Sequence, residues 1–221
     1  MKQADFIRQL EKALACNTSY ATGAFGASIG NFPSQLTRYI KNSPDQEKTL
    51  RKRAANPPCF AFDCVGLVKG ILWGWNANAA SVYGGAAYQS NGVPDMGTET
   101  MINKCTNVST DFSRILPGEL LWIKGHVGVY VGDGYAIECT SAWDAKVQKT
   151  VVTNFKAAGA QHGRNWTKHG RLPYVDYKSP EYELVIGPYT NLSDAQKIRD
   201  ALHVLGTEGK IKGVYYGNSD T

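Results

Sequence analysis

FAFDCVGLVKGILWGW, residues 60–75, decides how the rest of this chain is read. Cys64 follows an aspartate, and Leu67, Val68, Ile71, Leu72 and Trp75 then recur every three or four positions, the period of a helix with one apolar face. Asp63 falls where an N-cap belongs, its carboxylate placed to accept a backbone N–H of the first turn. Cys64 then lies in that first turn, at the positive end of the helix dipole. The thiolate is the nucleophilic form, and a free cysteine of pKa about 8.5 is only a few per cent ionised at neutral pH. A helix N-terminus lowers that pKa and a nearby imidazolium lowers it further. The segment therefore predicts an activated thiol and poses the question of which histidine serves it.

The chain has four histidines, and the best placed lies in ELLWIKGHVGVYVGDGYAIECTS. Three strands are predicted here, over 119–124, 126–132 and 135–140, with Gly132-Asp133-Gly134 as the tight turn between the last two. Alternation puts Val127, Val129 and Val131 on one face and His126, Gly128, Tyr130 and Gly132 on the other, with Gly128 leaving open space beside His126. Glu138 and Cys139 face opposite sides of the third strand, so Glu138 is expected to orient His126 and Cys139 to enter the core. Of the remaining histidines, His169 reads as structural or groove-lining, and His162 and His203 as surface residues. Trp73, Trp75, Trp122 and Trp166 read as core, whereas Trp143, in the loop after Glu138, is a candidate wall of a substrate cleft.

At 221 residues, 43% hydrophobic and 19% charged, the chain has the profile of a globular protein with one sizeable core and room for a small appendage. No apolar run approaches the roughly 18 residues that span a bilayer, so no membrane insertion is expected. The opening MKQADFIRQLEKALA reads as an amphipathic helix near 3–15 rather than a secretory signal, so action outside the cell is expected to need another route of release. A net charge of +5 is spread too thinly for a nucleic-acid stripe but suits an anionic polymer such as a bacterial wall. Five cysteines, without the close paired spacing of a zinc site, argue against a disulfide scaffold and a metal; apart from Cys64 they read as small buried hydrophobes. No cofactor is implied.

A Gly-rich stretch, SYATGAFGASIGNFPS, leads to a second helix in QLTRYIKN, and SPDQEKTLRKRAANPP reads as a charged link to the Cys64 segment.

Asp-Cys-x-Gly-Leu at the head of a helix, followed by Gly-His-Val-Gly-Val-Tyr-Val-Gly, resembles the NlpC-type cell-wall cysteine peptidases, a papain-like family that cuts peptidoglycan peptides. The resemblance covers roughly residues 5 to 175. It implies a papain-like α+β catalytic domain over 1–178, with Cys64 as nucleophile, His126 as general base and Glu138 as the third polar position, accepting the Nδ1 hydrogen of the imidazole. TSYATGAFG resembles the family's tyrosine element and implies that Tyr20 stands beside the nucleophile in the substrate groove, with Asp63 and Trp143 also substrate-facing. WTKHGRLPYV is similar to the last strand of phage-borne members.

The chain departs from the family pattern in three places. The third position is usually His, Asn or Gln; Glu138 there resembles the Cys/His-dependent amidohydrolases and implies a His126 held more firmly protonated. Val65 replaces a common serine, and some forty residues separate Tyr20 from Cys64. The implied reaction is cleavage of an amide in the stem peptide, between D-glutamate and the diamino acid, by a phage or prophage lysin. An N-acetylmuramoyl-L-alanine amidase with the same triad, and a wall-binding module without chemistry, are the alternatives.

Residues 179–221 change character to strand, helix and strand, and resemble half of a SPOR-type peptidoglycan-binding domain. Leu184, Ile186, Ile198 and Leu202 would need a partner, which implies wall binding, a homodimer, or packing on the catalytic domain.

Overall fold

The computed structural model describes residues 1–177, and the expectations for 179–221, with His203, lie outside them. The expected α+β class is what it shows. The elements are α1 (Gln3–Ala15), β1 (Thr18–Tyr20), β2 (Phe25–Ser28), α2 (Pro33–Asn42), α3 (Glu47–Ala54), β3 (Phe60–Phe62), α4 (Cys64–Leu72) and α5 (Thr98–Lys104). Seven strands complete them: β4 (Thr106–Ser109), β5 (Leu120–Ile123), β6 (His126–Gly132), β7 (Tyr135–Thr140), β8 (Lys146–Val152), β9 (Gly163–Arg164) and β10 (Lys168–Arg171).

The larger sheet runs β4-β10-β5-β6-β7-β8-β9, antiparallel except for the parallel pair β8–β9. Its centre is the predicted hairpin of β6 and β7, turned at Gly132, Asp133 and Gly134, all at positive φ. The tight reversal uses glycine at two of those three positions because a side chain is disfavoured there. β10 does not close the sheet at an edge but lies between β4 and β5. The smaller sheet, β1-β3-β2, was not expected: the Gly-rich stretch supplies two of its strands, and β3 pairs parallel to β1 and antiparallel to β2.

Every residue of α4 is buried, so the helix is enclosed rather than laid on a surface by one face. Leu67, Val68 and Ile71 join Val127, Val129, Ile137 and Cys139 in the main core, which packs α4 against β6 and β7. Trp75 lies beyond the end of α4 but belongs to the same core. The opposite flank explains two glycines. A Cβ on Gly66 would sit 1.9 Å from the carbonyl oxygen of Ala24, and one on Gly70 would sit 2.4 Å from that of Phe25. Glycine at i and i+4 lets the backbone of β2 settle directly onto the helix, and no side chain can be fitted into that contact.

The stretch read as a charged link is helical: a 3₁₀ turn, Pro44–Gln46, runs into α3, whose Leu50 and Ala54 are buried in a second core with Ile29, Tyr39 and Cys59. With only those two residues inward, α3 carries almost no apolar period. None of the described helices is long and apolar enough to cross a membrane.

Candidate active site

α4 begins where its sequence predicts. Oδ1 of Asp63 accepts the backbone N–H of Gly66 at 2.5 Å, the N-cap bond, and Oδ2 accepts that of Gly23 at 2.7 Å. One carboxylate thus caps the helix and ties it to the loop between β1 and β2. Burial raises the Asp63 pKa above the ordinary aspartate value against the pull of those two N–H groups and of Lys69. Asp63 is a positioning group for the first turn.

Cys64 is 9% exposed. Burial, then the adjacent Asp63 charge, push its pKa up to about 11, while the backbone N–H groups of Val127, Val65 and Cys64 draw it down. This reverses the expectation of a lowered pKa: desolvation of the thiolate outweighs the helix terminus. The resting group is a thiol. The other four cysteines are also free, Cys59 and Cys139 buried, Cys16 and Cys105 half-buried.

His126, the first residue of β6, is held from two sides. Its Nε2 lies 2.6 Å from Oε2 of Glu138 on β7. Its ring stacks on Trp166, with centroids 5.7 Å apart and planes 16° from parallel. The space beside Gly128 is therefore filled, since a Cβ there would sit 2.9 Å from Trp166 and 3.2 Å from Cβ of Glu138. Asn154 fixes Trp166 by exchanging two 2.8 Å hydrogen bonds with its backbone. An ionised carboxylate can only accept, so Nε2 carries the hydrogen, and in the neutral ring Nδ1 presents its lone pair. The sequence reading assigned Glu138 to Nδ1; it meets Nε2 instead, which frees Nδ1 as the basic nitrogen.

Glu138 is fully buried. Besides His126 it accepts the Thr150 hydroxyl on Oε1 at 2.6 Å, and Nε and Nη2 of Arg164 each lie 2.9 Å from Oε2. Burial opposes its ionisation, but His126 and Arg164 prevail and hold the carboxyl below the ordinary glutamate range. Neither Thr150 nor Arg164 was singled out in the sequence; the only signal is alternation, which puts Thr150 on the face of β8 that Glu138 occupies on β7.

His126 and Glu138 are thus brought together, whereas Cys64 meets the same strand one residue later, at the backbone of Val127. Among the described residues no hydrogen bond joins the thiol to the imidazole. Tyr20 stands near the thiol: burial, then the charge of Cys64, raise its hydroxyl pKa to about 12. Trp143 is 42% exposed at φ 56°, its ring stacked on His162 at 4.8 Å. His169 is structural, bonded through Nδ1 to Glu119 and through Nε2 to the Asp111 carbonyl at 3.0 Å.

A cleft of about 470 Å³ opens beside the first turns of α4, lined by Asp63, Gly66, Lys69, Arg38, Tyr83 and Tyr88 among others. Lys69 is committed to Asp95 and to the Met96 carbonyl at 3.0 Å. Among the described residues no group of three His, Cys, Asp or Glu side chains is arranged to hold a metal.

No family model matches the chain, and no curated protein matches it. Among solved structures, NlpC2 from Trichomonas vaginalis is similar at 14% identity and a TM-score of 0.39, over 77% of this chain and 46% of that one. NlpC1 from the same organism is similar at 13% identity and a TM-score of 0.37, over 76% of this chain and 42% of that one. The chain spans less than half the length of either.

Proposed function

We propose that this protein is a cysteine hydrolase that cuts an amide bond in the peptidoglycan stem peptide. Cys64 attacks the carbonyl, Nδ1 of His126 takes the thiol proton as the carbon–sulfur bond forms, and the imidazolium returns it to the leaving amine. Water then hydrolyses the thioester with the same imidazole as base. Glu138 holds the ring and its tautomer and stabilises the transient charge. As the first residue of a helix, Cys64 offers its backbone N–H, which has no acceptor within the helix, to the developing oxyanion.

The observation that carries the reading is the buried Glu138 bonded to Nε2 of His126, next to a strand backbone that meets a capped-helix cysteine. The structural His169 also meets a buried carboxylate, Glu119, but its second nitrogen is taken by the Asp111 carbonyl, whereas Nδ1 of His126 has no hydrogen-bond partner among the described residues. The net charge of +5 suits an anionic wall polymer. The proposed bond joins D-glutamate to the diamino acid, and the proposed setting is a phage or prophage lysin. Pairing of two chains through 179–221 is a further proposal, checked by light scattering.

Mass spectrometry of muropeptides after digestion tests the bond. Fragments ending in D-glutamate support the endopeptidase assignment. Release of the whole stem from the lactyl group replaces it with an amidase, and unchanged muropeptides argue against both.

A further inference from the structure

Arg164 lies 26 residues from Glu138 in the chain, yet two of its nitrogens sit 2.9 Å from the carboxylate oxygen that also meets His126. Its guanidinium lies 4.9 Å from the ring centroid of Trp143 and 5.6 Å from that of Trp166. Trp143 in turn stacks on His162, and Trp166 on His126. The result is a continuous column, His162, Trp143, Arg164, Trp166, His126, running from an exposed surface to the imidazole. Trp143 is held in it despite a positive φ that a bulky side chain rarely adopts.

We infer that Arg164 is a positioning residue for the His126–Glu138 pair: its cation shares the carboxylate with the imidazole, so that Glu138 orients His126 without fixing it as imidazolium. An unshared buried carboxylate at hydrogen-bond distance would favour the charged ring and leave no lone pair for the thiol. A guanidinium on the same oxygen offsets that preference while its planar fork keeps the carboxylate aligned. Elsewhere around the pair, Glu99 of α5 accepts the Gly125 N–H beside His126 at 3.1 Å, and Cys64, Asp63 and Tyr20 are the titratable groups on the side of Val127 that meets the thiol. None of these contacts Glu138 in place of Arg164.

The inference rests on the hydrolase reading only in naming His126 the base; its test needs no substrate, so the two can fail separately. His126 is titrated by NMR through its imidazole ¹³Cε1–H signal in the wild type, Arg164→Gln and Arg164→Lys. In the Gln variant the midpoint is expected to move up by about one pH unit, a tenfold gain in proton affinity from loss of one neighbouring cation. The Lys variant, keeping the charge, should stay within a few tenths of a unit of the wild type. An unmoved midpoint in a folded Gln variant overturns the inference. If that variant does not fold, the wild type decides: the Arg164 Nε–H resonance should exchange slowly with solvent and shift as His126 titrates. Rapid exchange without such a shift overturns it equally.

Discussion

Glu138 approaches His126 through Nε2, at 2.6 Å, and not through Nδ1. The difference decides which nitrogen is the base, and it sets what a substitution at Glu138 will do. An amide at 138 can still accept the Nε2 hydrogen on the oxygen that also meets Arg164, but its NH₂ then faces the Thr150 hydroxyl and the guanidinium is left beside a neutral group. Glu138→Gln is therefore expected to lose activity by about ten- to a hundredfold and Glu138→Ala by more, with stability losses of about 1–3 kcal/mol from unsatisfied buried groups. Denaturant unfolding and initial rates check both; equal and mild effects would place the orienting group elsewhere.

The carboxyl of Glu138 titrates below its ordinary value in the folded chain, so its ionised form stabilises the fold. The sign follows: that stability is complete above the unfolded glutamate pKa of about 4.3 and disappears as pH falls through the lower folded value. Thermal melts between pH 7 and pH 3 should show a steeper loss for the wild type than for Glu138→Gln. Parallel curves would mean that Glu138 contributes nothing to the acid limb.

Cys64, with its pKa pushed up to about 11, predicts slow alkylation at neutral pH. The rate of iodoacetamide modification of Cys64, followed by peptide mapping, should climb through pH 9 without a plateau near neutrality. A plateau below pH 7 would reveal a standing thiolate–imidazolium pair and contradict the proton transfer during attack proposed for this site.

Gly66 is tested by Gly66→Ala. The added methyl would lie 1.9 Å from the carbonyl oxygen of Ala24, immediately before β2, so that segment must lift away from α4. The expected loss is about 3 kcal/mol, at the upper end for overpacking. A Tm within a degree of the wild type would show that the β2–α4 contact yields freely.

What was legible in the sequence was whatever carried a strong local signal. The β6–β7 hairpin announces itself by alternating valines and the Gly-Asp-Gly turn, and α4 by its aspartate cap and apolar spacing. The smaller sheet was hidden because its strands are three or four residues long, too short for a period of two to register. α3 was hidden because only Leu50 and Ala54 turn inward. At the site, the contacts of Arg164 and Trp166 are made by a segment far along the chain, and no local pattern reports them. The Cys64 thiol was misjudged because the helix terminus is visible in sequence and the depth of burial is not.

The central claim is that Cys64 performs amide hydrolysis on peptidoglycan, and the release of new primary amines from purified sacculi tests it most directly. The wild type should release amines steadily, and Cys64→Ala, folded to the same Tm, should release none above the buffer blank. No release by the wild type, or equal release by the Cys64→Ala protein, would contradict the account.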